Sequence, residues 1–195
     1  MSAEAVPSAP QRWPGPDLHR QRLASFTVED VLSLPDDAPR VELNDGVMLV
    51  VPSPTIGHQR IAYLLWRWFE QHAPRELVPS AATGVIINAA QTFEPDVLLI
   101  DREYANPDSH YSTAEHVELV VEVVSPGTRR RDRWEKPVAY AQAGIAYYWR
   151  VERDPVHVYA YHLVDGRYEL VADSAEELLV EKPFPIRLRV RDVTP

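Results

Sequence analysis

The 195-residue sequence contains no cysteine, which excludes disulfides, thiolate catalysis and metal sites that depend on cysteine ligands. It also lacks any apolar run near the ~20 residues that a membrane-spanning helix needs. The first 25 residues have no apolar core of the kind found in secretory signals. These absences predict a cytoplasmic protein without a membrane partner.

Lysine is scarce, because only Lys136 and Lys182 occur among the 20 basic residues and all others are arginine. An ammonium differs from a guanidinium in shape, hydration and ease of proton loss, so a position that keeps lysine is a candidate for one that requires an ammonium. Acidic residues outnumber basic ones, 29 to 20, which gives a net charge of −9. This balance argues against a broad basic surface for nucleic acid and leaves room only for a local basic patch.

The length fits one domain better than two, and a chain of this size can bury a sizeable core. Residues 1–25 are predicted to form a disordered or extended tail, because four prolines interrupt any regular pattern. Residues 26–195 are predicted to form a single domain. Hydrophobic spacing in it indicates helices at 27–34, 56–72 and 131–143, a hairpin turn at 44–46, and strands at 82–88, 93–101, 117–124, 146–152 and 156–163. This order predicts an α+β (α/β-like) domain with one mixed β-sheet flanked by helices.

Two acidic residues lie in strongly apolar strands. Asp96 opens the strand in FEPDVLLID, and Glu122 lies inside VELVVEVV. If these strands are antiparallel neighbours, a pairing of Asp101 with Val117 also sets Asp96 directly opposite Glu122, with Cβ atoms ~4.5–5.5 Å apart. Carboxylates that close repel each other unless a cation lies between them, and oxygen ligands suit Mg²⁺ or Mn²⁺.

The segment that follows Glu122 carries a possible partner for these acids. Asp132, Lys136 and Tyr140 recur every four residues, so on a helix they share one face. Pro137 disfavours a helical conformation for the residue before it, so the helix is predicted to start late or to kink there. The same segment contains a local basic run that could contact a phosphate backbone, formed by Arg129, Arg130, Arg131 and Arg133.

At this point the sequence resembles a known family. The segments EPDVLLI and LVVEVVSPGTRRRDRWEKPVAYAQAGIAYYWRVE, with RVELNDGVMLVVPSPTIGH upstream, resemble the Uma-type family of proposed restriction endonucleases, a branch of the PD-(D/E)xK nuclease superfamily. The resemblance covers about residues 27–190. It implies a restriction-endonuclease-like core and a Mg²⁺-dependent (or Mn²⁺-dependent) endonuclease that hydrolyses phosphodiester bonds in DNA. Because cutting both strands needs two sites, a homodimer is also expected.

The resemblance also implies roles for individual residues. Asp96 and Glu122 match the two metal-binding acids, and Glu42 matches an acid that would complete the metal site. The usual position of the catalytic lysine, two residues after the second acid, is occupied by Val124, and the lysine of this branch corresponds to Lys136 on the following helix.

Three further residues match positions of the family motifs. His58 matches a histidine of the second motif, and Asp132 and Tyr140 match positions of the helix motif, where supporting roles are expected. The site residues also have plain structural explanations. Glu42 could be a solvent-facing carboxylate of a hairpin, and Asp96 could be a turn residue that follows proline.

Two other functions stay open at the level of sequence. One is a catalytically weak or inactive nuclease-fold protein with a binding or regulatory role, which the acidic net charge and Pro137 favour, since fold does not fix function. The other is a metal-dependent hydrolase of a small phosphorylated molecule, for which a pocket too closed for a duplex would be the distinguishing feature.

Overall fold

The computed structural model describes residues 25–35 and 37–195, so the predicted tail lies, apart from Ser25, outside the described residues. The described part has three α-helices: α1 (Val28–Leu32), α2 (Ile56–His72) and α3 (Lys136–Gln142). A π-helical turn, Arg131–Glu135, leads directly into α3. Its strands are β1 (Val41–Asn44), β2 (Val47–Val50), β3 (Leu77–Ser80), β4 (Gly84–Asn88), β5 (Gln91–Phe93), β6 (Val97–Asp101), β7 (Tyr111–Thr113), β8 (Val117–Val123), β9 (Tyr147–Arg153), β10 (Val156–Val164), β11 (Arg167–Ser174), β12 (Glu177–Val180) and β13 (Ile186–Arg189).

The strands form two main sheets and one separate hairpin. The five-stranded sheet has the order β2-β1-β5-β4-β7, the six-stranded sheet has the order β11-β10-β9-β8-β6-β3, and β12 pairs with β13. Each main sheet contains one parallel pair, β4 with β7 and β8 with β9. The α+β class predicted from the sequence is confirmed. Among the described residues, no helix is both long and apolar enough to cross a bilayer.

The prediction of one mixed sheet is corrected to two, and the division falls within the segment predicted as a single strand over 93–101. β5 ends at Phe93 in the five-stranded sheet, and β6 begins at Val97 in the six-stranded sheet. Pro95 lies between them and has no backbone N–H to donate to a strand ladder. The chain therefore passes from one sheet to the other at Asp96, which places this carboxylate where the two sheets meet.

Both faces of the central strands β6 and β8 are buried, which explains why these two strands are almost continuously apolar. On one face Leu99 and Val121 pack in the same core as α2. On the other face Leu98 and Val120 pack in the same core as α3. Because side chains alternate along a strand, Glu122 faces the same side as Val120, towards α3.

The alignment of β6 with β8 agrees with the sequence prediction near the site but not at the far end. Val97 pairs with Val121, and the same alignment extended by one residue sets Asp96 across from Glu122. Beyond Leu99 the ladder is irregular, and Val117 pairs with Ile100. The predicted pairing of Val117 with Asp101 is therefore wrong, because a local bulge in β8 shifts that end of the ladder by one residue.

The local signals read from the sequence correspond to observed elements. The hairpin turn at 44–46 joins β1 and β2, with positive φ at Asp45 (48°) and Gly46 (76°). Such values are typical of the tight turns that suit the twist of a hairpin. Helix α2 has the predicted bounds, and in α1 the carboxylate of Asp30 accepts a hydrogen bond from the backbone N–H of Thr27 (2.8 Å).

Candidate active site

A cavity of about 220 Å³ lies where the end of β8, the crossing before β6 and the π-helical turn meet. Two loops, 51–55 and 125–128, form part of its wall. Most of the site residues predicted from the sequence line this one cavity, namely Glu42, His58, Asp96, Glu122, Arg131, Asp132 and Lys136. The sequence therefore identified a group of residues that the fold brings together from β1, α2, β8 and the start of α3.

Lys136 occupies the centre of the group. Its Nζ lies 2.9 Å from Glu122 Oε1 and 3.0 Å from Glu42 Oε1, and Asp132 Oδ1 is 3.7 Å away. Only 4% of Lys136 is exposed. Burial works against its charge, but Glu122, Glu42 and Asp132 outweigh that effect and hold the pKa of Lys136 above its ordinary value. Lys136 is therefore a fixed ammonium at neutral pH and not a base.

Glu42 is buried on β1, so the reading of this residue as a solvent-facing hairpin carboxylate is wrong. Its Oε1 accepts hydrogen bonds from Lys136 Nζ and from the backbone N–H of Glu94 (3.1 Å), and its Oε2 pairs with the Arg131 guanidinium. Burial disfavours its ionisation, but Lys136, Arg131 and the Glu94 N–H together hold the pKa of Glu42 below its usual value. Glu42 is thus an ionised carboxylate with both oxygens engaged.

Glu122 is held from α3 by two side chains. Its Oε1 accepts hydrogen bonds from Lys136 Nζ (2.9 Å) and from the Tyr140 hydroxyl (2.7 Å). Burial raises the pKa of Glu122 well above its ordinary value; Lys136 opposes this, and Asp132, Asp96 and Glu42 add to it. Burial and the adjacent Glu122 also raise the pKa of Tyr140, which keeps its hydroxyl a donor.

Asp96 is oriented from two directions. Its Oδ2 accepts a hydrogen bond from the backbone N–H of Val123 (2.7 Å) and lies 3.2 Å from His58 Nε2. His58 belongs to the first turn of α2, where its backbone N–H is capped by the Thr55 side chain. These contacts lock the carboxylate across the end of β8, and 20% of the Asp96 side chain remains exposed to the cavity.

The start of α3 is shaped by the π-helical turn. The backbone N–H of Lys136 bonds to the carbonyl of Arg131, five residues earlier, and Pro137 follows in the first turn of α3, where proline is tolerated. Of the two predicted outcomes, a late start is wrong, because the chain is helical from residue 129 onward and Lys136 itself has a helical conformation. The helix is instead irregular just before Pro137, through the π-helical turn. Despite the wider turn, Asp132, Lys136 and Tyr140 all reach the same cluster, as their spacing predicted.

Most of the arginine run is already paired with carboxylates of the same chain. Arg130 Nε lies 3.2 Å from Glu135 Oε1, and Arg133 Nη2 lies 2.8 Å from Glu152 Oε1. Arg131 points inward to its carboxylate partner on β1. The run predicted as a nucleic-acid contact is thus largely neutralised within the fold, and Arg129 is its exposed member without an ion pair among the described residues.

The cluster contains more carboxyl groups than fixed cations. Across residues 25–35 and 37–195, no three Asp, Glu or His side chains converge as a ready-made ligand set for a metal ion. Within the same residues, Asp96 Oδ1 and Glu122 Oε2 accept no hydrogen bond. The buried Asp132 Oδ1 has no hydrogen-bond partner, and burial with neighbouring Asp96 and Glu42 raises its pKa against the effect of Lys136.

This chemistry fits a cation site formed by two carboxylates. Mg²⁺ is commonly held by one or two carboxylates and keeps several waters, so two carboxylates such as Asp96 and Glu122 match the number of protein ligands that it needs. Glu42 differs from the role implied by the resemblance, since its oxygens serve Lys136 and Arg131 in this arrangement.

Two features of the site were not predicted from the sequence. Arg131 was expected to contact nucleic acid, but it pairs with Glu42, and Arg40 pairs with Glu94 beside the cavity, with 3.0 Å between Arg40 Nε and Glu94 Oε2. Both pairs join residues far apart along the chain, 89 positions for Arg131 with Glu42 and 54 for Arg40 with Glu94, so no local spacing signals them.

The fold is shared with a solved structure. The structure is similar to the crystal structure of a "putative nuclease belonging to DUF820" from Anabaena variabilis ATCC 29413, with a TM-score of 0.69, 17% sequence identity, and coverage of 86% of this chain and 97% of that chain. At this identity the likeness shows a shared fold. Residues 28–193 match the Uma2 family, described as "Putative restriction endonuclease", and the chain belongs to that family. No curated protein matches the chain.

Proposed function

We propose that this protein is a metal-dependent endonuclease that hydrolyses phosphodiester bonds in DNA, with Asp96, Glu122 and Lys136 as its catalytic residues. The observation that carries the proposal is the meeting of these three side chains in one cavity, with the Lys136 ammonium 2.9 Å from Glu122. Membership of the Uma2 family supports the same reaction class.

Asp96 and Glu122 would hold Mg²⁺ or Mn²⁺, because each keeps a carboxylate oxygen that accepts no hydrogen bond from the described residues. Such a cation, when bound, would polarise the scissile phosphate and lower the pKa of a water molecule that it binds. His58 and the Val123 N–H keep Asp96 in place, and Tyr140 keeps Glu122 in place.

Lys136 would stabilise negative charge on the phosphate. The carboxylates around it raise the pKa of Lys136, which favours this role as a charged group over a role as a base. Glu42, fixed in turn by Arg131, holds the ammonium at the cavity wall. A preorganised charge of this kind is most effective in a site that excludes water.

The test is cleavage of supercoiled, linear duplex and single-stranded DNA by the full chain with Mg²⁺ or Mn²⁺. We expect cleavage that requires the cation and falls at least about 100-fold in Asp96→Asn and Glu122→Gln, because each substitution removes a charged ligand. Glu118→Gln is the matched control, since Glu118 is a carboxyl on the same strand outside the cavity. Absence of cleavage by the wild-type chain, or equal cleavage by Glu122→Gln, would refute the proposal.

A second candidate is a nuclease-fold protein that binds a partner without catalysis. It is favoured by the internal pairing of Lys136 and Arg131 with Glu42, which satisfies much of the cluster without a cation. A protein of this kind would show no uptake of Mg²⁺ or Mn²⁺, whereas the endonuclease requires it.

A further inference from the structure

The reactive groups lie at the bottom of the cavity and not at its rim. Only 2% of Glu122 and 4% of Lys136 are exposed, so even a water molecule barely reaches them from outside. Asp96 is nearer the opening, with 20% of its side chain exposed. A scissile phosphate must therefore enter the cavity to touch all three residues.

Two proline-containing loops form part of the cavity wall and are exposed at several positions. Residues 51–55, with Pro52 and Pro54, and residues 125–128, with Pro126, both line the cavity. Proline fixes φ, so these loops are stiffer than average. The cavity of about 220 Å³ is smaller than the roughly 300–1,000 Å³ of typical small-molecule pockets. A cavity of this size favours entry of one backbone phosphate over entry of two paired strands.

The surroundings of the cavity offer few free cations for a duplex. Proteins that bind duplex DNA neutralise several phosphates with lysine and arginine. Here Arg40 and Arg131, which line the cavity, are each paired with a glutamate, as are Arg130 and Arg133 in the neighbouring run. The net charge of −9 points the same way.

We propose, on the basis of the endonuclease function above, that the substrate is a single DNA strand or a locally unpaired segment, and not an intact duplex. An unpaired strand is narrow and flexible, so one phosphodiester can pass between the two loops while the flanking nucleotides stay outside. A paired strand cannot do so without first giving up its base pairs, which costs free energy.

The test compares three DNA molecules of the same sequence in the presence of Mn²⁺: the single strand, the perfect duplex, and a duplex with a central unpaired bubble. We expect the single strand to be cleaved about 100-fold faster than the duplex, because the duplex must unpair first. In the third molecule, cuts should fall within the bubble. Glu122→Gln serves as the inactive control and Glu118→Gln as the active one.

The outcomes separate this inference from the function on which it rests. Cleavage of the perfect duplex as fast as the single strand overturns the inference and leaves the endonuclease intact. Cleavage of a small phosphodiester with no cleavage of either form of DNA overturns it in favour of a small-molecule hydrolase. No cleavage of any substrate overturns the endonuclease itself.

A variant of the two loops tests whether they cause the preference for single-stranded DNA. Pro54→Gly combined with Pro126→Gly loosens both walls and leaves the charged cluster unchanged. We expect the preference for the single strand to fall in this variant, because the wider entrance admits the duplex more readily. An unchanged preference would contradict the role given to the loops.

Discussion

Lys136 is the residue on which the charge balance of the site depends. It contacts Glu122 and Glu42, and Asp132 lies 3.7 Å away, all in a buried environment. The sequence singled out this residue because the chain otherwise uses arginine, with Lys182 as the other exception, and the need for an ammonium here stays a prediction. A guanidinium is larger and planar, and it would not fit as a point charge between carboxylates that lie about 3 Å from one nitrogen.

Replacement of Lys136 by methionine is expected to lower the free energy of unfolding by about 3–5 kcal/mol, because the substitution leaves buried carboxylates without their cation. Tyr140→Phe is a useful comparison, since it removes one hydrogen bond to Glu122 and is expected to cost only about 1 kcal/mol. Both values can be measured by urea denaturation. A loss below about 1 kcal/mol for Lys136→Met would show that the ion pairs contribute little.

The same variant should have a characteristic pH dependence. Without Lys136 the pKa of Glu122 rises further above 4.5, its unfolded value, so the folded state binds a proton more readily than the unfolded state. The loss of stability caused by Lys136→Met is then complete at pH values above the folded-state pKa of Glu122 and absent below about pH 4.5. The stability difference between Lys136→Met and the wild type should therefore shrink as the pH is lowered from neutral, which denaturation at several pH values would reveal.

At the residue scale, the sequence was most informative where a charged side chain stands among apolar neighbours. A carboxylate among valines, as at Glu122, or one after proline at the start of a strand, as at Asp96, is conspicuous without a structure. The pairing of Arg131 with Glu42 was not accessible, because it joins residues 89 positions apart from two different elements. Only the three-dimensional meeting of β1 with the π-helical turn reveals it.

At the scale of elements, the turn into α3 is the feature that places Lys136 in the cavity. In the sequence, Pro137 predicted an irregularity in the helix over 131–143. The structure accommodates the proline with the π-helical turn Arg131–Glu135. Lys136 then stands at the first position of α3, next to the end of β8. The irregularity thus positions a functional side chain, as π-turns often do.

The end of α3 provides a testable position. Gly144 follows the helix with a φ of +82°, a conformation that costs a residue with a Cβ roughly 1 kcal/mol. Gly144→Ala is therefore expected to lower the free energy of unfolding by about 1 kcal/mol. Gly127→Ala is the matched control, because Gly127 has no positive φ and an added Cβ there would meet nothing within 4 Å. Equal effects of the two substitutions in urea denaturation would contradict this account of the turn.

Elements with strong local signals were predictable, and those set by long-range pairing were not. Helix α2 has the predicted bounds, since its apolar spacing is regular over 17 residues. The separation into two sheets was missed because it depends on which strands β1 and β5 join, and only Pro95 marks the division in the sequence. Short strands such as β7, three residues long, carry too little pattern to be recognised.

At the scale of the whole molecule, the protein combines an acidic exterior with a buried charged site. The central strands of the six-stranded sheet, which carry the site, are covered on both faces. The single domain over 26–195, the homodimer and the cytoplasmic location stay predictions. In the C-terminal third, β11 is an edge strand with Leu170 and Val171 about half exposed, so it is the candidate surface for a dimer contact. Sedimentation velocity would show whether the chain forms a dimer.

Calorimetric titration of Mn²⁺ into the full chain tests the paired-acid site most directly. The account predicts saturable uptake, because Asp96 and Glu122 each keep a carboxylate oxygen that accepts no hydrogen bond from the described residues. Uptake should be lost in Asp96→Asn and in Glu122→Gln and retained in Glu118→Gln. Absence of saturable uptake by the wild-type chain, or uptake that both site variants retain, would contradict the account.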